Sequence, residues 1–124
     1  MAWDGTWTAI GSYSIGGIGA VVEEIADVLP GVVTTDDGIW FDNSGCIGMN
    51  VEVSGITTGT VVVVGHNGTF IPANTSHHEV LESITADGIK SYDAHQLSRY
   101  NKIYCSVGTT VNLNVRVKRI RRSG

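Results

Sequence analysis

The sequence predicts an all-β fold, an antiparallel sandwich or barrel, and three observations carry that prediction. Thr60-Val61-Val62-Val63-Val64 sets four valines in a row, which suits a strand covered on both faces. β-Branched side chains restricted about χ1 also disfavour a helix there. Val111 to Lys118 alternates without a break: Val111, Leu113, Val115 and Val117 on one face, Asn112, Asn114, Arg116 and Lys118 on the other. From Ile39 onward, short apolar runs recur between turn residues at the spacing of a sandwich or barrel.

The elements follow in order. Trp3 and Trp7 lie in a stretch rich in Gly, Ser and Thr, and two tryptophans there need cover from their own domain or from a neighbouring subunit. Gly17 to Leu29 places Ile18, Val21, Val22, Ile25, Val28 and Leu29 at helix-like spacing, with Pro30-Gly31 as a stop. Gly16, Gly17 and Gly19 weaken a helix start, and Val21-Val22 also suits a strand, so helix and strand are even. Residues 1–38 are therefore set apart as an N-terminal arm or short helix packing on the domain or on a neighbouring subunit. Residues 39–124 form the sandwich domain.

Within that domain, Ile47 to Val53 alternates as a half-buried strand, and Ser54-Gly55 begins a connection to the valine strand. Asn67-Gly68 has the chemistry of a type I′ hairpin turn, followed by a polar loop from Pro72 to Ser76. Glu79 to Ile84 reads as a strand, Asp87-Gly88 as a tight turn and Ile89 to Tyr92 as a short strand. Asn101 to Val107 alternates with Ile103, Cys105 and Val107 on one face. Gly108-Thr109-Thr110 then turns into the final strand.

A length of 124 residues fits one principal core, and the apolar fraction and low charge exclude a disordered chain. The net charge of −4 argues against a nucleic-acid partner, because phosphate contacts need many cations. Cys46 and Cys105 sit in apolar stretches without CxxC spacing and read as buried thiols. No basic-then-apolar leader is present, and no apolar run is long enough to span a membrane, so the chain is expected to be soluble and made in a cytoplasm.

Enzyme and metal motifs fail on inspection. Gly17-Ile18-Gly19 has Val22 where a dinucleotide fingerprint needs a small residue, and no βαβ pattern follows. His78-Glu79-Val80-Leu81-Glu82 lacks the second histidine of a zincin. His66, His77, His78 and His95 show no ligand spacing, and Ser12-Tyr13-Ser14-Ile15-Gly16 lacks the leading glycine of a nucleophile elbow. Asp36-Asp37 before Gly38 reads as a turn cap. No catalytic residue, metal or cofactor is assigned.

Charge is the clearest functional signal. No lysine or arginine precedes Lys90, eleven of the twelve acids lie before it, and five cations crowd into the last nine residues. An acidic body with a basic tail suits docking in a fixed orientation. Arg116 and Lys118 read as the solvent face of an edge strand, while Arg119, Arg121 and Arg122 extend beyond it toward acidic partners. Trp3, Trp7, Arg116, Lys118, Arg119, Arg121 and Arg122 are thus the candidate partner-binding residues.

The stretches Gly65-His66-Asn67-Gly68-Thr69-Phe70 and Ala86-Asp87-Gly88-Ile89-Lys90-Ser91-Tyr92, with the valine strand and the cation-ended last strand, resemble small β-sandwich proteins of tailed-bacteriophage virions. The resemblance covers roughly the last two-thirds of the chain. It implies a jelly-roll-like sandwich in a non-enzymatic structural protein, a capsid decoration or cement protein attached in many copies. The major capsid protein or other virion proteins would be its partners, together with copies of itself, a trimer being one arrangement. The alternative is a tail, fibre or baseplate component that binds carbohydrate. A sugar site would draw on Trp40 and Tyr100 and on a candidate ligand loop of Asn67, Phe70, Asn74 and Tyr92.

Overall fold

A computed structural model describes residues 6–26, 32–33, 40–56, 59–68, 79–107, 110–111 and 113–122. Among them are eleven strands: β1 (Thr8–Ile15), β2 (Ile18–Ile25), β3 (Val32–Val33), β4 (Phe41–Asp42), β5 (Cys46–Ser54), β6 (Thr60–His66), β7 (Glu79–Ile84), β8 (Gly88–Asp93), β9 (Tyr100–Val107), β10 (Thr110–Val111) and β11 (Asn114–Arg122). A 3-10 turn at Ala94–Gln96 is the only helical piece of the described residues. The strands form two antiparallel sheets, in the orders β1-β2-β11-β5-β8 and β4-β9-β6-β7, while β3 pairs with β10. The fold is all-β and the sheets pack as a sandwich.

The pairings are nested. Val61 faces Ile84, Gly48 faces Asp93, Phe41 faces Asn101, Val33 faces Thr110 and Ala20 faces Arg122. All five pairs centre on residues 70–73, so the chain folds as one long ribbon paired back on itself. Winding that ribbon brings β11 beside β5 and β9 beside β6, which is the topology of a jelly roll. β1 is added outside β2 as its hairpin partner.

Side-chain phase places the core. Met49, Val51 and Val53 of β5, Val61 and Val63 of β6, Ile103 and Cys105 of β9, and Val115 and Val117 of β11 meet in one buried cluster with Leu113, Ile25, Phe41 and Ile84. Val62 and Val64, on the opposite face of β6, are also buried, so the valine run is covered on both sides as its lack of alternation predicts. Cys46 and Cys105 are buried thiols, not joined to each other.

One open alternative is decided and two local readings are corrected. The Gly17–Leu29 region is strand where it is described, as β2, and Gly16 and Gly17 (φ +56° and +84°) close a two-residue turn between Ile15 and Ile18. Positive φ at both central residues is the type I′ geometry that glycine supplies without a Cβ penalty. Asn67-Gly68 does not close such a hairpin: β6 ends at His66 and its partner β7 begins at Glu79. The final strand is divided, with β10 pairing to β3 and β11 running on to Arg122. Arg119, Arg121 and Arg122 therefore lie within the strand, not beyond it. Of the segment expected as an arm, residues 8–25 supply two strands of the larger sheet.

Candidate interaction surface

The ribbon brings the chain's acidic early part against its basic end. β2 and β11 are partners, with Lys118 opposite Glu24 and Arg119 opposite Glu23. Three ion pairs result: Arg116 with Glu24, Arg119 Nε with Glu23 Oε1 at 3.2 Å, and Arg121 Nε with the same oxygen at 2.9 Å. The segregation that reads as docking polarity along the sequence is, in these contacts, satisfied inside one molecule.

Arg119 is the centre of this arrangement. Its odd-numbered position continues the inward phase of Val115 and Val117, and it is only 6% exposed. Its Nη1 donates to the Asp42 carbonyl at 2.7 Å and to Asn43 Oδ1 at 2.8 Å. The Asn43 amide donates to Asn101 Oδ1 at 2.7 Å, and the Asn101 amide donates to the Val64 carbonyl at 3.1 Å. A buried polar chain thus crosses from β2 and β11 in one sheet to β9 and β6 in the other. Trp7 lies under the guanidinium, 3.8 Å from its carbon to the ring centroid, and meets Phe41 edge-on at 5.4 Å. Such a stack contributes about 0.5–2 kcal/mol.

Charge states follow from these contacts. Burial pushes the Glu23 carboxyl upward, but the bonds and charges of Arg121 and Arg119 outweigh it and hold the group below its ordinary value. Asp42 is also held low, chiefly by Ser44. Burial lowers Arg119 despite the carboxylate beside it, and burial raises the Cys46 thiol.

Of the candidate partner-binding residues, Trp7, Arg116, Arg119 and Arg121 have partners within the chain, and Trp3 lies outside the described residues. Among the described residues, Lys118 and Arg122 are exposed and form no ion pair. Lys118 points from the outer face of the larger sheet, in line with Glu24, Asn50 and Ser91 across neighbouring strands. Val22, Ile120 and Gly48 form the next line on that face, and Ile10 (50%) and Ile89 (60%) stand exposed near Arg116 and Lys118. The result is an outer sheet face that sets aliphatic groups beside the unpaired cation of Lys118.

The expected ligand loop is not brought together. Phe70 and Asn74 lie outside the described residues. Asn67 is exposed and uses its side-chain oxygen to accept from the Arg99 amide at 2.9 Å, fixing a chain corner. Tyr92 belongs to the core of β8, where burial and then the charge of Glu82 push its phenol up to about 12. On the outer face of the smaller sheet, Lys102 is buried between the rings of Trp40 and Tyr104, at 5.3 and 5.5 Å. Those rings pack on the protein's own cation.

Among the described residues no group of three His, Cys, Asp or Glu side chains converges to hold a metal, and no helix is long and apolar enough to cross a membrane. His77 and His78 lie outside the described residues. Sequence reasoning missed Asn43, Asn101 and Glu23. The signal was the strand phase, which puts Arg119 on the inward face and so demands buried acceptors for it. No family model matches the chain, and no curated protein is similar to it.

Proposed function

We propose that this chain is a non-enzymatic structural protein of a tailed-bacteriophage particle, a decoration protein attached in many copies to the capsid. The observation that carries this reading is the outer face of the larger sheet, where Lys118 keeps unpaired charge beside exposed Ile10 and Ile89, with Arg122 exposed farther along the same strand. A wide, shallow face of this kind suits contact with an acidic protein surface, and repetition over many copies supplies avidity from weak single contacts. The buried polar groups support the same reading, because Arg119, Asn43 and Asn101 tie the two sheets into a rigid block. The resemblance of the Gly65–Phe70 and Ala86–Tyr92 stretches to virion sandwiches supports this kind of particle.

The test is attachment by a double charge reversal, Lys118→Glu with Arg122→Glu. Both side chains are exposed and lie outside the Arg119 network, so the fold is expected to remain intact by circular dichroism. Retention of the variant on purified particles should fall at least about tenfold, a loss of about 1.4 kcal/mol per attached copy. Equal retention of variant and wild type would remove this face from the attachment. Immunogold labelling of the same particles separates capsid from tail placement.

A further inference from the structure

We propose that β1 is a self-association edge through which two copies of the chain join their larger sheets about a two-fold axis. β1 ends the order β1-β2-β11-β5-β8, so among the described residues one side of its backbone carries no ladder partner. Thr8, Ala9, Ile10, Gly11, Ser12 and Ser14 are all exposed. The strand sequence, TAIGSYSI, contains neither a charge nor a proline.

The other edges of the two large sheets are guarded. β8 carries Lys90 opposite Val51, in the inward phase, and ends in Asp93. β7 carries Glu82 opposite Val63 and Glu79 opposite Gly65, and β4 is two residues long. Inward-phase charges and short strands are the usual devices against edge-to-edge pairing. On β1 the only such device is a bulge between Ala9 and Gly11, which leaves Gly11–Ile15 as the regular stretch.

The occupant that fits is a second copy of the same strand. Every neighbouring pair in the sheet is antiparallel, and a two-fold axis beside β1 places the copy's β1 antiparallel to it. A two-fold sets like residues near like, which repels charged strands but costs nothing along this uncharged one. The contact consumes both open edges and leaves, among the described edges of the two large sheets, only guarded ones, so it closes as a dimer and does not propagate as a fibre. One short strand buries far less than the ~1,600 Å² of a standard interface, so the dimer is weak and concentration-dependent. The proposal concerns the isolated chain and stands apart from attachment to a particle.

The experiment is sedimentation velocity on the full chain from about 1 µM to about 1 mM, with hydrogen exchange across the same series. A monomer–dimer equilibrium is expected, with β1 amides gaining protection as concentration rises. No ion takes part, so high salt should leave the dimer in place. Ser12→Lys should weaken dimerisation at least tenfold, whereas Ser91→Lys on β8 should leave it unchanged. Exchange on the wild-type chain reads the edge directly, so the outcome does not depend on either variant folding. A monomer throughout with concentration-independent exchange in β1, assemblies larger than a dimer, or a dimer indifferent to Ser12→Lys would each overturn the proposal.

Discussion

Arg119 shows how a cation in a basic tail becomes part of a scaffold. Its position in β11 turns it inward, and its charge is matched by Glu23, the Asp42 carbonyl, Asn43 and the face of Trp7. Truncating it removes the donor to the Asp42 carbonyl and to Asn43 Oδ1 and leaves Glu23 only the more exposed Arg121, so Arg119→Ala should cost about 3–5 kcal/mol in urea unfolding. Arg121→Ala should cost under about 1 kcal/mol, because that side chain is 38% exposed and water replaces what is lost. Similar costs for the two would contradict the central role of Arg119. The same site sets an acid limb. Glu23 is held below its ordinary value of 4.5 and Asp42 below 3.8, so the folded state binds these protons less readily than the unfolded one. Their contribution to stability is complete above those ordinary values and is lost as pH falls through the lower folded ones. Glu23→Gln should be less stable at neutral pH and lose less stability on acidification below about pH 5. Melting temperatures measured from pH 7 to pH 3 would check both, and parallel curves for the two proteins would refute the assignment.

At the scale of elements, β6 depends on a close approach that its sequence does not advertise. A Cβ added at Gly65 would lie inside the Ser98 side chain, 2.7 Å from its Cβ, and 3.2 Å from the Asn101 amide nitrogen. Gly65→Ala should therefore cost about 1–3 kcal/mol, and Ser98→Gly in the same chain should recover part of that loss. Additive losses in the double variant would show that the two residues do not meet. Strands from Cys46 onward were legible because period-2 burial writes itself into β5 and β11, and an unbroken valine run into β6. β2 was not, because Ile18, Val21, Val22 and Ile25 fit both periods over so short a stretch. What decides the case is the pairing of β2 with β11, across more than ninety residues of sequence. Asn67-Gly68 misled for the opposite reason: its local chemistry suits a tight turn, but the strand that pairs with β6 begins at Glu79. The inward cation at position 119 was within reach of phase counting, since odd positions from Val115 face the core. Its acceptors were not, since they come from β2 and from the corner before β5.

For the whole molecule, nested pairing explains why charge is divided along the chain. The outermost strands of the ribbon are β2 and β11, so acids gathered early and cations gathered late meet when the ribbon closes. Opposite charges there favour the one register that aligns Glu23 and Glu24 with the β11 cations, and like charges would penalise slips. Lys118, with Ile10 and Ile89 beside it, and Arg122 farther along β11 make the surface proposed to meet a particle, and β1 is the edge proposed to meet a copy. The direct measurement is the number of copies of this chain per purified particle, by quantitative mass spectrometry on particles of the proposed tailed phage. The account predicts many copies, in fixed ratio to the major shell protein. Particles that carry none of the chain, with the protein left in the lysate, would contradict it.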